Sequence, residues 1–342
     1  MSTPTRARVV DLAERYALAV IVAAMIVFFC AYPPTSGVFS STANVQSVLG
    51  NQAVVATAAL AAMIPLIGGQ FDVSVGAVLG MASIVAADTM AQGWPLLAAC
   101  AAAVLAAAVV GLVNGVLVAY VGVNSFITTL AAGTLIGGLV SLYTANATIV
   151  TGIPPAITEF GSAVHLGLPA VVWVVLAVAA ALAVVIDRTV HGRRLVSAGI
   201  NPAAARLVGI DVNRVVVLSF VASASLAGVA GVLLLARTGT GNPQIGNGYT
   251  LAALSAAFLG ATALRPGQFN VAGTLLGVLF VAISVNGLTL AGAQDWVDPV
   301  FNGAALMIAV AVSTGLGRVR SRGVPAASTR NEQPHELEEV LS

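Results

Sequence analysis

The sequence has no lysine: all fourteen of its basic residues are arginine. A phosphate-binding loop of the GxxxxGK[ST] kind needs its lysine, so the chain by itself houses no ordinary nucleotide-hydrolysing site. Charge of either sign is sparse, with 8% charged residues against 58% hydrophobic ones and a mean hydropathy of +0.99. A soluble globular domain carries roughly a quarter charged residues, and that class is excluded. Cysteine is nearly absent too. Cys30 and Cys100 fall in apolar runs, where they read as small packing residues and not as a disulfide or metal site. His165, His191 and His335 are scattered over loops and a tail. No cofactor, metal or nucleic-acid site is expected.

What is present is a succession of apolar runs near the length that crosses a bilayer. They are continuous and do not alternate with period two, so they read as helices and not as barrel strands. The expected fold is an all-α, polytopic membrane protein. Arg6, Arg8 and Arg15 precede the first run, Tyr16 to Ala31. No small-x-small cleavage site follows it and Pro33-Pro34 closes it, which predicts a retained helix and not a cleaved signal. Further spans are expected at 45–66, 73–91, 96–118, 125–144, 170–187, 215–236, 251–264, 271–290 and 298–316, about ten in all. Threading these from a cytoplasmic N-terminus puts every arginine inside except Arg237, a strong positive-inside bias, and makes both termini cytoplasmic. The chain then divides into a cytoplasmic segment 1–15, a membrane domain 16–316 and a tail 317–342. That tail, basic at first and then rich in glutamate, is expected to be disordered.

Two connections are substantial. The external one, 145–169, holds Pro154, Pro155, Glu159 and Gly167 around a short apolar piece, Ala156 to Phe160. It is expected to form a small cap where an outside partner docks, the alternative being a plain surface loop. The cytoplasmic one, 188–214, contains Asn201, Pro202, three alanines, Arg206 and Gly209. Asparagine is a good N-cap, proline suits the first helical position and glycine the stop, so this loop is predicted to hold one short helix. A stiff element flanked by arginine suits force transmission to a soluble partner; lying flat on anionic headgroups is the other reading.

Between Arg15 and Asp88 the only charge is Asp72, in the stretch Gly68-Gly69-Gln70-Phe71-Asp72-Val73-Ser74-Val75-Gly76. Pro65 and the glycines end one helix, and Asp72 and Ser74 stand where the next begins, so Asp72 is a candidate helix cap. A lone acid at membrane depth is also a candidate for a path, a gate or a proton relay. The segment recurs as Gly267-Gln268-Phe269-Asn270-Val271-Ala272-Gly273, continuing to Gly277, with seven of eleven aligned positions identical after one deletion. Asn270 stands where Asp72 does; it can cap a helix but cannot relay a proton. No other acid lies inside a span, which also argues against proton coupling.

The uncharged polar residues in the spans are candidates for lining a path: Asn44, Asn51, Gln52, Thr57, Ser74, Asn114, Asn124, Ser125, Thr128, Thr129, Asn286, Thr289 and Asn302, with Asp72 and the ring of Phe126 beside them. Neutral hydrogen-bonding groups suit a neutral, hydroxyl-rich solute, and an aromatic ring can stack on an apolar sugar face. The alternative for each polar residue is interhelical bonding alone. Gly76/Gly80, Gly111/Gly115, Gly133/Gly137 and Gly273/Gly277 read as small-xxx-small pairs that let helices approach.

Several of these pieces together resemble a known family, the permease subunits of ATP-binding-cassette sugar importers of the ribose, xylose, arabinose and galactose type. They are Gly68 to Gly76, Asn114-Gly115, Ser125-Phe126-Ile127-Thr128-Thr129-Leu130, Gly192-Arg193-Arg194 through Asn201 to Gly209-Ile210, and Asn286-Gly287-Leu288, covering roughly residues 40 to 315. The chain departs from that pattern at Gln70, Val73 and Asn124-Ser125. The resemblance implies a prokaryotic cell-membrane protein that is not itself an enzyme. It implies a second permease, homo- or heterodimeric, cytoplasmic ATPase subunits and an extracytoplasmic sugar-binding protein as partners. It further implies that Asn201, Pro202, Ala204, Ala205, Arg206 and Gly209 form the element coupling to the ATPase. A branched-chain amino-acid permease of the same superfamily is the alternative; from other classes, a secondary transporter or a channel.

Overall fold

A computed structural model of the chain describes residues 4–294 and 296–322. Helix α1 (Pro4–Ala31) takes in most of the predicted N-terminal segment and turns sharply, by 102°, onto α2 (Pro33–Phe39). Tyr32 is extended and Pro33 opens the new helix, so the diproline redirects the chain and does not simply end it. The bend is stitched by buried Thr35, whose hydroxyl donates to the Phe29 carbonyl at 2.6 Å.

The chain continues as α3 (Thr42–Ile67), α4 (Val75–Ala91), α5 (Leu96–Val116, running on as a π turn, Leu117–Val121) and α6 (Ser125–Thr144). After a loop come α7 (Pro155–Ser162) and a two-stranded antiparallel hairpin, β1 (Val164–His165) with β2 (Leu168–Pro169). Then follow α8 (Ala170–Arg188), α9 (Val190–Ile200), α10 (Pro202–Leu207), α11 (Val212–Thr238), α12 (Gly246–Ala261), α13 (Val271–Leu290) and α14 (Val297–Arg322).

Among the described residues six helices are long and apolar enough to cross a bilayer alone: α3, α5 with its π turn, α6, α8, α11 and α13. The bent α1–α2 pair makes a seventh candidate. The protein is therefore a multi-pass helical membrane protein. The expected spans 73–91 and 251–264 fall on helices of 17 and 16 residues, because α4 starts only after its N-cap Ser74 and α12 stops at Ala261. The described apolar part of the last is Val297–Ile308.

Four expectations need correction. The fold is not wholly helical, since the 164–169 hairpin pairs where Leu166 and Gly167, both at positive φ, make a tight turn. The 188–214 loop holds two helices and not one: Thr189 accepts from the Gly192 N–H at 3.3 Å to start α9, while Leu195 and Ala198 bury against the body. The N-terminal segment is continuous with the first span. Helix α14 runs through Gly317 to Arg322, past the point where disorder was expected; the remainder of that tail lies outside the described residues.

The core is built on α3, which is buried almost all round from Ala53 to Leu66. A helix apolar on every face belongs inside, and its run of alanines lets α4, α11, α12 and α13 close in. Close approach is visible at the glycines. A Cβ on Gly76 would strike the Gly246 carbonyl of α12, one on Gly111 the Ala224 side chain of α11 at 2.6 Å, and one on Gly277 the Ala256 carbonyl. Gly133/Gly137 is different. Gly133 meets Ala77 of α4 at ordinary contact distance, whereas Gly137 has nothing within 4 Å and opens onto a groove. By contrast α5, α6 and α8 expose most of their apolar side chains, as lipid-facing helices do.

Candidate functional site

The site begins at the break between α3 and α4. Pro65 lies inside α3, and Gly69 turns the chain at φ +73, a conformation L side chains rarely adopt. The Pro65 carbonyl accepts from the Gln70 N–H at 2.9 Å. Gly199 of α9 is pressed onto this turn so closely that a Cβ would collide with the Ile67 carbonyl. Residues 70–73 then run through the bundle without regular structure, where backbone N–H groups have no ladder, and Ser74 already has helical φ and ψ. They are satisfied by side chains: the Phe71 N–H donates to Ser125 Oγ at 3.1 Å and the Val73 N–H to Thr129 Oγ1 at 3.0 Å. Ser125 and Thr129 are four apart on α6, so one face of that helix presents both acceptors. A further N–H, of Gly76, donates to Thr250 Oγ1 of α12 at 3.2 Å.

Asp72 is 2% exposed. One carboxylate oxygen accepts from the Ser74 N–H at 3.0 Å and the Ser74 hydroxyl at 2.6 Å; the other accepts from Ser223 of α11 at 3.0 Å. Asn114 of α5 donates to Ser74 Oγ at 3.2 Å. Thus the lone acid ties α11 and α5 to the start of α4. Among the described residues no cation is paired with it. The residue at the N-cap position of α4 is Ser74, so Asp72 does not occupy the cap itself; it makes an Asx-type contact two residues ahead. Asn270 does occupy one, accepting from the Gly273 N–H at 2.7 Å to start α13.

Two cavities flank this irregular segment. One, of about 900 Å³, is lined by Gln70, Phe71, Asn124, Ser125, Phe126 and Phe258 among others, on the side of α9. The second, of about 490 Å³, is lined by Thr134, Ser141, Gln244, Asn247 and Thr250 together with Gly133, Gly137 and Gly138, on the side of α7. Val73 and Leu251 line both and stand at their boundary. Among the described residues neither cavity is lined by a charged side chain.

Of the predicted lining residues Asn124, Ser125 and Phe126 line these cavities. Asn51 accepts from Arg237 at 2.9 Å near the α7 end. Asn286 exchanges two hydrogen bonds with Asn44, at 3.0 and 3.1 Å. Thr128 is buried and donates back to the Asn124 carbonyl at 3.0 Å. Asp72 and Ser74 stand behind the cavity wall, Asn114 lines a separate groove beside Asp88 and Tyr143, and Gln52 leaves its buried Oε1 without a protein partner. The reading missed Ser223, Thr250, Gln244 and Asn247. Hydroxyls in apolar helices were visible, but no spacing rule links Ser223 to an acid 151 positions away.

At the α9 end, Asn201 accepts from the Ala204 N–H at 3.0 Å and Gly209 closes α10 at φ +81. Pro202 and Ala204 lie on its exposed face, Ala205 on its buried one. Ile200, Leu207 and Val208 are apolar yet outward; Leu207 is 89% exposed. Arg193, Arg194 and Arg206 stand close by in sequence.

The family described as branched-chain amino acid transport system, permease component, matches residues 44–311. The chain belongs to this family. The ribose import permease protein of Escherichia coli (strain K12) is 32% identical over 296 residues, 84% of this chain and 91% of its own length. The L-arabinose ABC transporter permease protein of Azospirillum brasilense is 30% identical over 290 residues, 85% of each chain. The D-allose transport system permease protein of Escherichia coli (strain K12) is 29% identical over 300 residues, 87% of this chain and 91% of its own. No solved structure matches. Permease components translocate and do not catalyse, so this chain is a transport subunit and not an enzyme.

Proposed function

We propose that the chain is the membrane-spanning permease subunit of an ATP-driven, binding-protein-dependent importer, translocating a monosaccharide or similar neutral polyhydroxylated solute. The single observation that carries the solute class is the lining of the two cavities: among glycines and aliphatic side chains, its polar groups are amides and hydroxyls, with aromatic rings beside them and no charged side chain among the described residues. Such groups match hydroxyls and the apolar face of a sugar ring. The family's description names branched-chain amino acids, a second reading. A zwitterion would leave both of its charges unmatched in this lining, and desolvating an unpaired charge is costly.

In this proposal both termini are cytoplasmic, the spans number about ten, and the arginine-flanked α9 end is inside. The exposed apolar tip formed by Leu207 of α10 with Ile200 and Val208 on either side of that helix fits a groove of a soluble ATPase, with Asn201, Pro202, Ala204, Ala205, Arg206 and Gly209 setting the helix's bounds and faces. The α7 cap, with Leu166 91% exposed, fits an external binding protein. A second permease completes the assembly in the cell membrane of a prokaryote. ATP binding closes the ATPases, the push on α10 reaches the Gly69 turn through Gly199, and the barrier at Val73 and Leu251 gives way.

Uptake into proteoliposomes containing the permease, its ATPase and its binding protein tests this. Radiolabelled pentose or hexose is expected to accumulate only with ATP and all three proteins present. Uphill uptake without the ATPase, or uptake of leucine and not of sugar, overturns it.

A further inference from the structure

Arg237 is the one arginine that threading leaves on the far side from all the others, and the structure gives it an employment there. Its Nη1 donates to the Gly161 carbonyl of α7 at 2.9 Å and its Nη2 to Asn51 Oδ1 of α3 at 2.9 Å. Two glycines make room for it. A Cβ on Gly50 would lie 2.8 Å from the Arg237 Cζ, and one on Gly161 would collide with the Ala236 carbonyl. The guanidinium is a planar fork, so its two ends hold two elements at once in a fixed geometry; an ammonium has no such fork.

We infer that Arg237 is a positioning residue that fastens the external cap to the end of α11. That helix is unbroken from Val212 to Thr238. Its other end is tied to α10: the Ile210 N–H donates to the Ala205 carbonyl at 3.0 Å, and Asp211 caps α11 through the Arg214 N–H at 3.1 Å. Midway, Ser223 holds Asp72. The cap and the coupling helix therefore sit on the two ends of one rod, and a signal from a docked binding protein enters the bundle at Arg237. This rests on the importer reading for what docks at the cap, though not for the fastening itself.

The test uses the complete reconstituted complex with Arg237→Gln, Arg237→Lys and, as a milder variant that removes only the Nη2 acceptor, Asn51→Ala. Hydrogen exchange in 155–162 is expected to speed up in all three, most in Arg237→Gln, with exchange in 212–230 unchanged. Stimulation of ATP hydrolysis by the loaded binding protein is expected to fall about tenfold in Arg237→Gln, the scale set by losing a charge-assisted hydrogen bond, while unstimulated hydrolysis stays. Unchanged exchange in 155–162 overturns the fastening. Faster exchange with full stimulation overturns the signalling role. If Arg237→Gln fails to assemble, Arg237→Lys, which keeps the charge and loses the fork to Gly161 and Asn51, decides by the same readouts. A wild-type complex that the binding protein never stimulates sinks the importer reading instead, and the exchange measurement still judges the fastening.

Discussion

The two copies of the Gly-Gln-Phe motif reach the same helix by different routes. Phe71 stacks on Phe258 of α12 with centroids 6.0 Å apart, and Phe269, its counterpart, meets that same ring edge-on at 5.3 Å. Both copies open at a glycine of positive φ, Gly69 and Gly267. After the phenylalanine they part. In the second copy the helix starts at once, and Asn270 is a local device. Its oxygen caps α13, while its amide donates to the carbonyls of Gln268 at 3.0 Å, Ala263 at 3.3 Å and Gly260 at 3.5 Å. In the first, the helix does not start until after Ser74, and Asp72 accepts three hydrogen bonds, one of them from another helix. An amide is needed where carbonyls must be met, and an acceptor-only group where donors converge. The extra residues before the helix also create a wall between two cavities, which the second copy lacks.

That contrast can be broken directly. Asp72→Leu strands three buried donors at roughly 1–3 kcal/mol each, so it is expected to destabilise the protein by about 3 kcal/mol or more, read as lost folded yield and a lower melting temperature in detergent. Asn270→Asp is expected to cost about 2 kcal/mol, because a carboxylate oxygen then faces carbonyl oxygens with no donor between them. Near-wild-type thermal stability for that variant would remove the asymmetry. Thr129→Val takes away the acceptor of the Val73 N–H and is expected to cost about 1–2 kcal/mol and to loosen the segment before α4, measurable as faster amide exchange at 71–75. Asp72→Asn is the mildest: its oxygen still meets Ser74 and its amide can donate to the Ser223 hydroxyl, so stability is expected to fall by less than about 1 kcal/mol with uptake largely kept. Loss of uptake at normal protein levels would show that the charge itself is needed.

Much of the local architecture was legible because it depends on neighbours in sequence. Asn201 and Gly209 bound α10, and Pro65 with Gly69 marks the break, since caps and left-handed turns are set within a few residues. Helix α9 escaped notice, because its charged outer face masks the few residues, Leu195 and Ala198, that bury it. The motif Ser125 to Thr129 was noticed for its resemblance, yet its work, satisfying the N–H groups of Phe71 and Val73, depends on α6 lying beside an irregular segment that only the fold creates. The same holds for Gly137, which has the spacing of a packing glycine and faces open space, while Gly133 four residues before it meets Ala77 of α4.

Composition and hydropathy alone determined that this chain lives in a bilayer as helices, for a backbone in hydrocarbon has no other way to satisfy itself. The absence of lysine excluded an ordinary nucleotide-hydrolysing loop from the chain itself. Which polar groups meet, that Asp72 finds Ser223 and Arg237 finds Gly161 and Asn51, was decided only by tertiary structure. In an interior of nearly uniform small apolar residues, hydrophobicity does not select partners; close packing and the demand of each buried donor for an acceptor do.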